Sequence, residues 1–307
     1  VSEEVLLGGQ AVLEGVMMRA PGAYAVAVRK KGGEVVTLRR EVIRLSDRYP
    51  ALKMPVLRGV VVLFQSLALG IRALNFSAEQ VLEEEDSRPE KKSSGSFGIF
   101  LSLLLALAFA LGLFFYLPLL LTEGLVRLAP VLKGSLPFNL VEGTIRIALF
   151  IGYILAISAL SDMRRVFQYH GAEHKVVSTY EAGEPLTVEF ARTHSTLHPR
   201  CGTSFLLFVM VISVLTFSLV PTSASFGVKL ASRLFLLPLI AGLSFELLRS
   251  SAKHRGNLIY AAVVTPGMWM QRLTTREPND DQLQVAIEAL RVALGGTLPE
   301  RREAFPL

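Results

Sequence analysis

The chain has 307 residues, of which 51% are hydrophobic and 19% charged, with a net charge of +6. The apolar residues come in blocks, which excludes an ordinary soluble domain and indicates a mainly α, polytopic membrane protein with polar ends. The positive balance fits lysine and arginine gathered on the cytoplasmic side of a membrane, and no aromatic-plus-basic pattern points to nucleic acid.

Residues 1–55 are polar and mixed and read as an N-terminal cytosolic segment. Glu3 and Glu4 stand where the basic region of a secretory leader would lie. The run Gly8-Gly9-Gln10-Ala11-Val12-Leu13-Glu14-Gly15-Val16-Met17-Met18-Arg19 suggests tight backbone approach at a strand or turn. Two β-like runs, around Val26 and around Val36, flank Gly32-Gly33 and predict a hairpin. Residues 56–75 are apolar but bracketed by Arg58 and Arg72. The uncharged run is short of the ~20 residues needed to span, so an interfacial or re-entrant helix is expected. Residues 76–96 end in a charged, Ser-rich stretch and read as a linker.

A four-span membrane domain is expected over residues 97–256, with spans at 97–121, 140–161, 203–220 and 230–248. Glu142 and Arg146 lie four apart at the start of the second span and face the same side. Charges that deep are costly unless paired. The loop between the first two spans carries only Arg127 and Lys133, while the loop over residues 162–202 carries five basic residues. Both termini and that loop are therefore expected in the cytosol. Residues 257–307 hold an interfacial segment with Trp269 and a C-terminal amphipathic helix. Asn279 offers the helix an N-cap, and Leu283, Ile287 and Leu290 fall at helical spacing. His254 reads as a surface residue.

Four of the five histidines and the only cysteine fall between His170 and Cys201. One cysteine cannot form an internal disulfide. His170 and His174 are four apart, on one face of a helix that Gly183 ends, with Cβ atoms roughly 5–6 Å apart. The order H-x-x-E-H is the inverted zincin pattern, two ligands and a glutamate placed as general base, so Glu173 is the candidate catalytic residue. A catalytic zinc takes three protein ligands and keeps an open position. His198 and Cys201 are the nearest candidates, with His194 ranked below them. Cys201 stands at a helix start, which favours thiolate chemistry in general. Glu246, at the end of the fourth span, is a further candidate ligand.

The motifs resemble the YqhQ family of bacterial membrane proteins. The resemblance rests on the residue 8–19 run, on Tyr169-His170-Gly171-Ala172-Glu173-His174-Lys175, on His198-Pro199-Arg200-Cys201-Gly202-Thr203-Ser204-Phe205, and on the stretch from Pro266 to Pro278. It covers nearly the whole chain. It implies a multi-pass protein of the bacterial cytoplasmic membrane, of a kind labelled a predicted metal-dependent enzyme. The pattern carried over includes His170, Glu173, His174, His198, Cys201, Glu142, Arg146 and Glu246, and the N-terminal motif brings Gln10, Glu14 and Arg19. The functional expectation is a membrane metalloprotein, a zinc hydrolase acting at the cytosolic membrane face. The rival expectation is a non-enzymatic scaffold, a homo-oligomer or partner-binding platform, whose histidines are structural. The lipid bilayer is the expected partner in either case.

Overall fold

The computed structural model describes residues 7–42, 45, 49–82, 95–199, 201–253 and 258–296. The charged part of the expected linker, residues 83–94, lies outside these, as do Arg200 and His254.

The N-terminal segment is a four-stranded antiparallel meander: β1 (Gly8–Val12), β2 (Gly15–Ala20), β3 (Ala23–Arg29) and β4 (Val35–Glu41), in that spatial order. The expected hairpin is β3–β4, with Gly33 in the left-handed region at φ 85°. The glycine-containing run before it folds into β1 and β2, joined at Leu13-Glu14, and Glu14 itself takes φ 49°. Both faces of the sheet are covered. Val16, Met18, Ala20, Ala25 and Ala27 belong to one core, while Val12, Met17, Tyr24, Val26 and Val28 belong to another. Double-sided burial explains why β2 and β3 are nearly continuous apolar runs instead of alternating ones.

The second core is closed by α1 (Leu57–Leu82), through Leu69 and Ala73. α1 is longer than the expected apolar stretch. Leu57–Val81 is 25 residues long and apolar enough, by length and composition, to cross a membrane. Arg58, the second residue of the helix, is paired with Glu246, its Nε donating to Oε1 at 2.7 Å, and the helix runs on past Arg72. Two glycines let α1 meet a distant helix closely. A Cβ on Gly59 would lie 3.0 Å from the Cα of Gly242, and one on Gly242 would lie 2.6 Å from the Val56 carbonyl oxygen.

The first expected span comprises α2 (Gly95–Leu111), a π-helical turn (Gly112–Tyr116) and α3 (Leu117–Leu128). The second is α4 (Ser135–Ser158). Leu104–Leu128 and Ser135–Ser158 both have the length and hydropathy to cross a membrane. Where the third was expected there is α7 (Gly202–Phe217), shorter than those but strongly apolar. Where the fourth was expected there is a pair, α8 (Phe226–Phe235) and α9 (Leu237–Lys253), bent by 45° at Leu236. Beyond them, α10 (Leu258–Thr274) contains Pro266, and Trp269 on it is exposed.

Between α4 and α7 lies α5 (Ser161–Glu181), a separate helix and not a continuation of α4. Gly183, at φ 72°, follows its end in the left-handed conformation usual beyond a helix C-cap. A short α6 (Val188–Thr193) and a loop lead to α7. The last helix, α11 (Asp280–Ala293), starts with a capping box in which Asn279 and Gln282 exchange side-chain and backbone hydrogen bonds. Its apolar face does not meet solvent: Leu283, Ala286, Ile287 and Leu290 join α5 and the sheet in the first core.

Candidate metal centre

One helix, α5, carries most of the site, and its neighbours are set by what it can pack against. At Gly171 a side chain would overlap the carbonyl oxygen of Arg276, so glycine lets the segment after α10 cross directly over α5. The crossing is pinned by the Arg276 backbone N–H, which donates to Phe167 O at 2.9 Å. The cost of glycine within a helix, about 1 kcal/mol against alanine, is offset by this contact.

That crossing brings the Thr274 carbonyl to His170, whose Nδ1 lies 2.8 Å from it. His174 Nδ1 lies 2.5 Å from the carbonyl oxygen of Thr196. A carbonyl only accepts, so each Nδ1 is the donor, and in a neutral ring Nε2 is then the acceptor. His170 Nε2 is 3.3 Å from Cys201 Sγ. The two imidazoles meet edge to face, with ring centroids 4.5 Å apart. Ligand atoms of His170, His174 and Cys201 all lie within 4.8 Å of one another. Zn–N and Zn–S bonds of about 2.0–2.3 Å at tetrahedral angles separate neighbouring donors by about 3.6 Å. The observed separations exceed that by up to about an ångström. His174 and Cys201 are buried and His170 is partly so.

The surroundings hold this geometry from several directions. Lys175, next to His174 and itself buried, donates to the carbonyls of Arg192 and His194 and pairs with Glu277 at 2.7 Å. That ties down the loop that supplies Thr196. Cys201 is the N-cap of α7, its Sγ accepting from the Thr203 backbone N–H at 3.5 Å and facing the Thr203 hydroxyl at 3.3 Å. Gln271 on α10 exchanges two 2.9 Å hydrogen bonds with the His198 backbone, one in each direction. The loop between α6 and α7 is thereby stitched to α10.

The other candidates stand differently. His198 is buried beside the cluster, its ring centroid 5.8 Å from that of His174, but its Nε2 is 3.6 Å from Glu181. His194 is held outside the cluster by Glu184, at 2.7 Å. Glu246 is not brought to the histidines. It is bound by Arg58, and the Val56 backbone N–H donates to it at 3.3 Å. Glu173 is buried on the same turn as His174, but it faces β1. A Cβ on Gly9 would lie 2.8 Å from its Cγ.

The sequence motifs thus converge on one helix. Gly9 meets Glu173, and Glu14 on the β1–β2 turn meets Arg165 and Tyr169. Arg165 Nε donates to Glu14 at 2.5 Å, and the Tyr169 hydroxyl lies 3.4 Å from the same carboxylate. Burial, and then the negative charge of Glu14, push the Tyr169 hydroxyl above its ordinary pKa. The Glu14 carboxylate hydrogen-bonded to Arg165 raises that guanidinium's pKa as well. Thr196, Thr274 and Gln271 had no separate signal in the sequence, since two act through backbone carbonyls and the third through a backbone pairing.

A second polar cluster lies in the apolar bundle. Glu142 and Arg146 pair as their spacing predicts, at 2.6 Å, and Arg233 of α8 joins them at 2.5 Å. Arg233 also binds Asn139 at 3.0 Å. Arg146 donates to Ser213 at 3.1 Å and to the Phe114 carbonyl at 2.9 Å. Phe114 belongs to the π-helical turn, where the widened backbone ladder leaves carbonyls available to other partners. One carboxylate thus serves two guanidiniums, and every arm of the network ends on a hydrogen bond.

Together these features define a mainly α protein with apolar helices able to cross a membrane, a small antiparallel sheet packed on helices, and a buried His/His/Cys cluster. The chain belongs to the family described as a protein of unknown function (DUF1385), whose profile matches residues 54–296. It is 36% identical, over 300 residues, to the uncharacterized protein YqhQ of Bacillus subtilis (strain 168), covering 94% of this chain and 92% of that one. The resemblance read from the motifs is borne out. No solved structure matches the chain.

Proposed function

We propose that the chain is an integral metalloprotein of the bacterial cytoplasmic membrane, and that His170, His174 and Cys201 hold a zinc ion in a hydrolytic site. The observation that carries this reading is the pair of imidazoles whose Nδ1 atoms each face a backbone carbonyl, beside a buried thiol within ligand reach. Nitrogen and sulfur donors in this number suit zinc, and three ligands leave a fourth position for water or substrate. The ion would supply Lewis-acid polarisation of the bond to be cleaved. Glu173, one residue from His174 but packed against Gly9 of β1, would have to turn toward the cluster to serve as the base. His198 stands beside the cluster as a reserve ligand, and Glu246 serves the α1–α9 contact instead.

A four-span reading puts the site at the cytosolic face. Counting α2–α3, α4, α7 and the bent α8–α9 pair gives an even number of crossings, so both ends share a side. In this count α1 lies along the interface, because Leu69 and Ala73 are committed to the sheet. The basic residues of the 162–202 segment then fall on the cytosolic side.

A second reading has its own support. The 3.3 Å approach of His170 Nε2 to Cys201 Sγ is also the geometry of an S–H···N hydrogen bond. The cluster would then be a polar stitch joining α5, α7 and α10 in a non-enzymatic scaffold, with the chain assembling as a homo-oligomer or on a membrane partner. Metal analysis of the detergent-purified chain separates the two. The metalloprotein reading expects about one zinc per chain, lost in His174→Ala and Cys201→Ser but kept in His194→Ala. Cobalt substitution should add a thiolate charge-transfer band that Cys201→Ser abolishes. Metal-free wild-type protein that stays folded and active would leave the scaffold.

A further inference from the structure

The edge of the sheet next to Glu173 is built to receive another strand. The parity of the ladder follows from one hydrogen bond outside the strands. The Arg29 backbone N–H donates to Glu14 O at 2.8 Å, so even-numbered residues of β2 bond to β3 and odd-numbered ones bond to β1. With the register Gly8↔Arg19, Gln10↔Met17 and Val12↔Gly15, it is Gly8, Gln10 and Val12 that bond to β2. The N–H and C=O groups of Gly9 and Ala11 therefore point away from the sheet. Among the described residues no hydrogen bond reaches them, and both residues are partly exposed. An unpaired edge of this kind is a template for an added strand, and natural proteins normally blunt it with charge, proline or cover.

Among the described residues no such device covers it. Gly8 and Gly9 carry no side chains, which permits close approach of another backbone. A side chain on Gly8 would meet nothing within 4 Å. A cavity of about 190 Å³ opens along this strand, lined by Gly8, Gly9, Gln10, Arg19, Ser66 and Leu69. Below the strand lies Glu173, against Gly9, and three residues back on the same helix face lies His170.

We propose that the β1 edge binds an extended polypeptide segment, which adds to the sheet as a fifth strand through the backbone groups of Gly9 and Ala11. Backbone pairing supplies the affinity, and the cavity takes one of the peptide's side chains, a division usual for strand addition. Glu173 lies against Gly9 on one face of this strand, while the cavity opens on the other. Binding of this kind names the substrate class of the proposed hydrolase as an extended peptide, and it rests on that reading only for what happens to the peptide once bound.

The test uses the full chain in detergent and a fluorescein-labelled degenerate octapeptide mixture, read by anisotropy. Ala11→Pro removes an outward-facing N–H without touching the β2 ladder, and proline is tolerated on an edge strand. It should weaken binding roughly tenfold, the effect of losing one or two backbone hydrogen bonds. Gly8→Leu, which fills the cavity, should weaken it likewise and guards against misfolding of the proline variant. Unlabelled peptides N-methylated at every residue should fail to compete, and His194→Ala, which lies outside both the edge and the cluster, should bind as wild type does. Unchanged binding in both edge variants would overturn the proposal, as would absence of binding by the wild type. A wild-type dimer that Ala11→Pro converts to monomer would assign the edge to a second copy of the chain and overturn it too. Absence of zinc from the wild type would sink the hydrolase reading while leaving these binding results standing.

Discussion

Gly9 and Glu173 are separated by 164 positions in sequence and touch in the fold: a Cβ on Gly9 would lie 2.8 Å from Glu173 Cγ and 2.5 Å from the Met17 carbonyl oxygen. The contact sets β1 directly on α5 and leaves the carboxylate buried between them. It explains the glycine at position 9 of a strand that gains nothing from glycine propensity.

Gly9→Ala should therefore destabilise the chain by about 1–3 kcal/mol, the usual cost of forcing a methyl group into a filled space. Gly8→Ala is the control, since a Cβ there meets nothing within 4 Å. Thermal unfolding in detergent, followed by near-ultraviolet circular dichroism, should show a lowered midpoint for Gly9→Ala alone. Equal midpoints for the two variants would mean that the strand can move away from α5.

The Glu142 carboxylate lies between Arg146 and Arg233, and all three are buried. Glu142→Gln leaves two guanidiniums without a counter-charge and should cost about 3–5 kcal/mol. Arg146→Met removes one cation and leaves the Glu142–Arg233 pair intact, so it should be milder. Yield and unfolding midpoint of the two purified variants provide the comparison, and the reverse order would show that Arg146, not Glu142, is the keystone.

The Tyr169 hydroxyl has its pKa raised in the folded chain, by burial first and then by Glu14. The unfolded chain then loses this proton at about pH 10, below the folded chain. Stability from the neutral hydroxyl is complete below that point and declines as pH rises from about 10 toward the folded pKa, by at most about 1.4 kcal/mol per pH unit. Tyr169→Phe should flatten the alkaline limb of a stability–pH curve while leaving its shape near neutrality unchanged. An alkaline limb of the same slope in both proteins would place the loss elsewhere.

Much of the chain was legible without coordinates because the relevant signals are local. Apolar blocks announced helices able to cross a membrane. The spacing of His170 and His174 placed both on one face of a helix, and the turn chemistry around Gly32-Gly33 and Asn279 marked a hairpin and a helix start. The length of α1 is hidden in the sequence because a charge such as Arg72 reads as a boundary, whereas the helix runs past it to Leu82. Double-sided burial of β2 and β3 was equally hidden, since a continuous apolar run does not say what covers each face.

The amino-acid sequence by itself determined the helix that presents His170 and His174, the helix start that presents Cys201, and the pairing of Glu142 with Arg146, because these depend on spacing within a turn or two. Only the tertiary structure decided which ring nitrogens face inward, through the carbonyls of Thr274 and Thr196. It also withdrew Glu246 to Arg58, added Arg233 to the buried pair, and set Gly9 against Glu173. Those relations join residues from 22 to 188 positions apart, where periodicity carries no information and packing alone selects the partner.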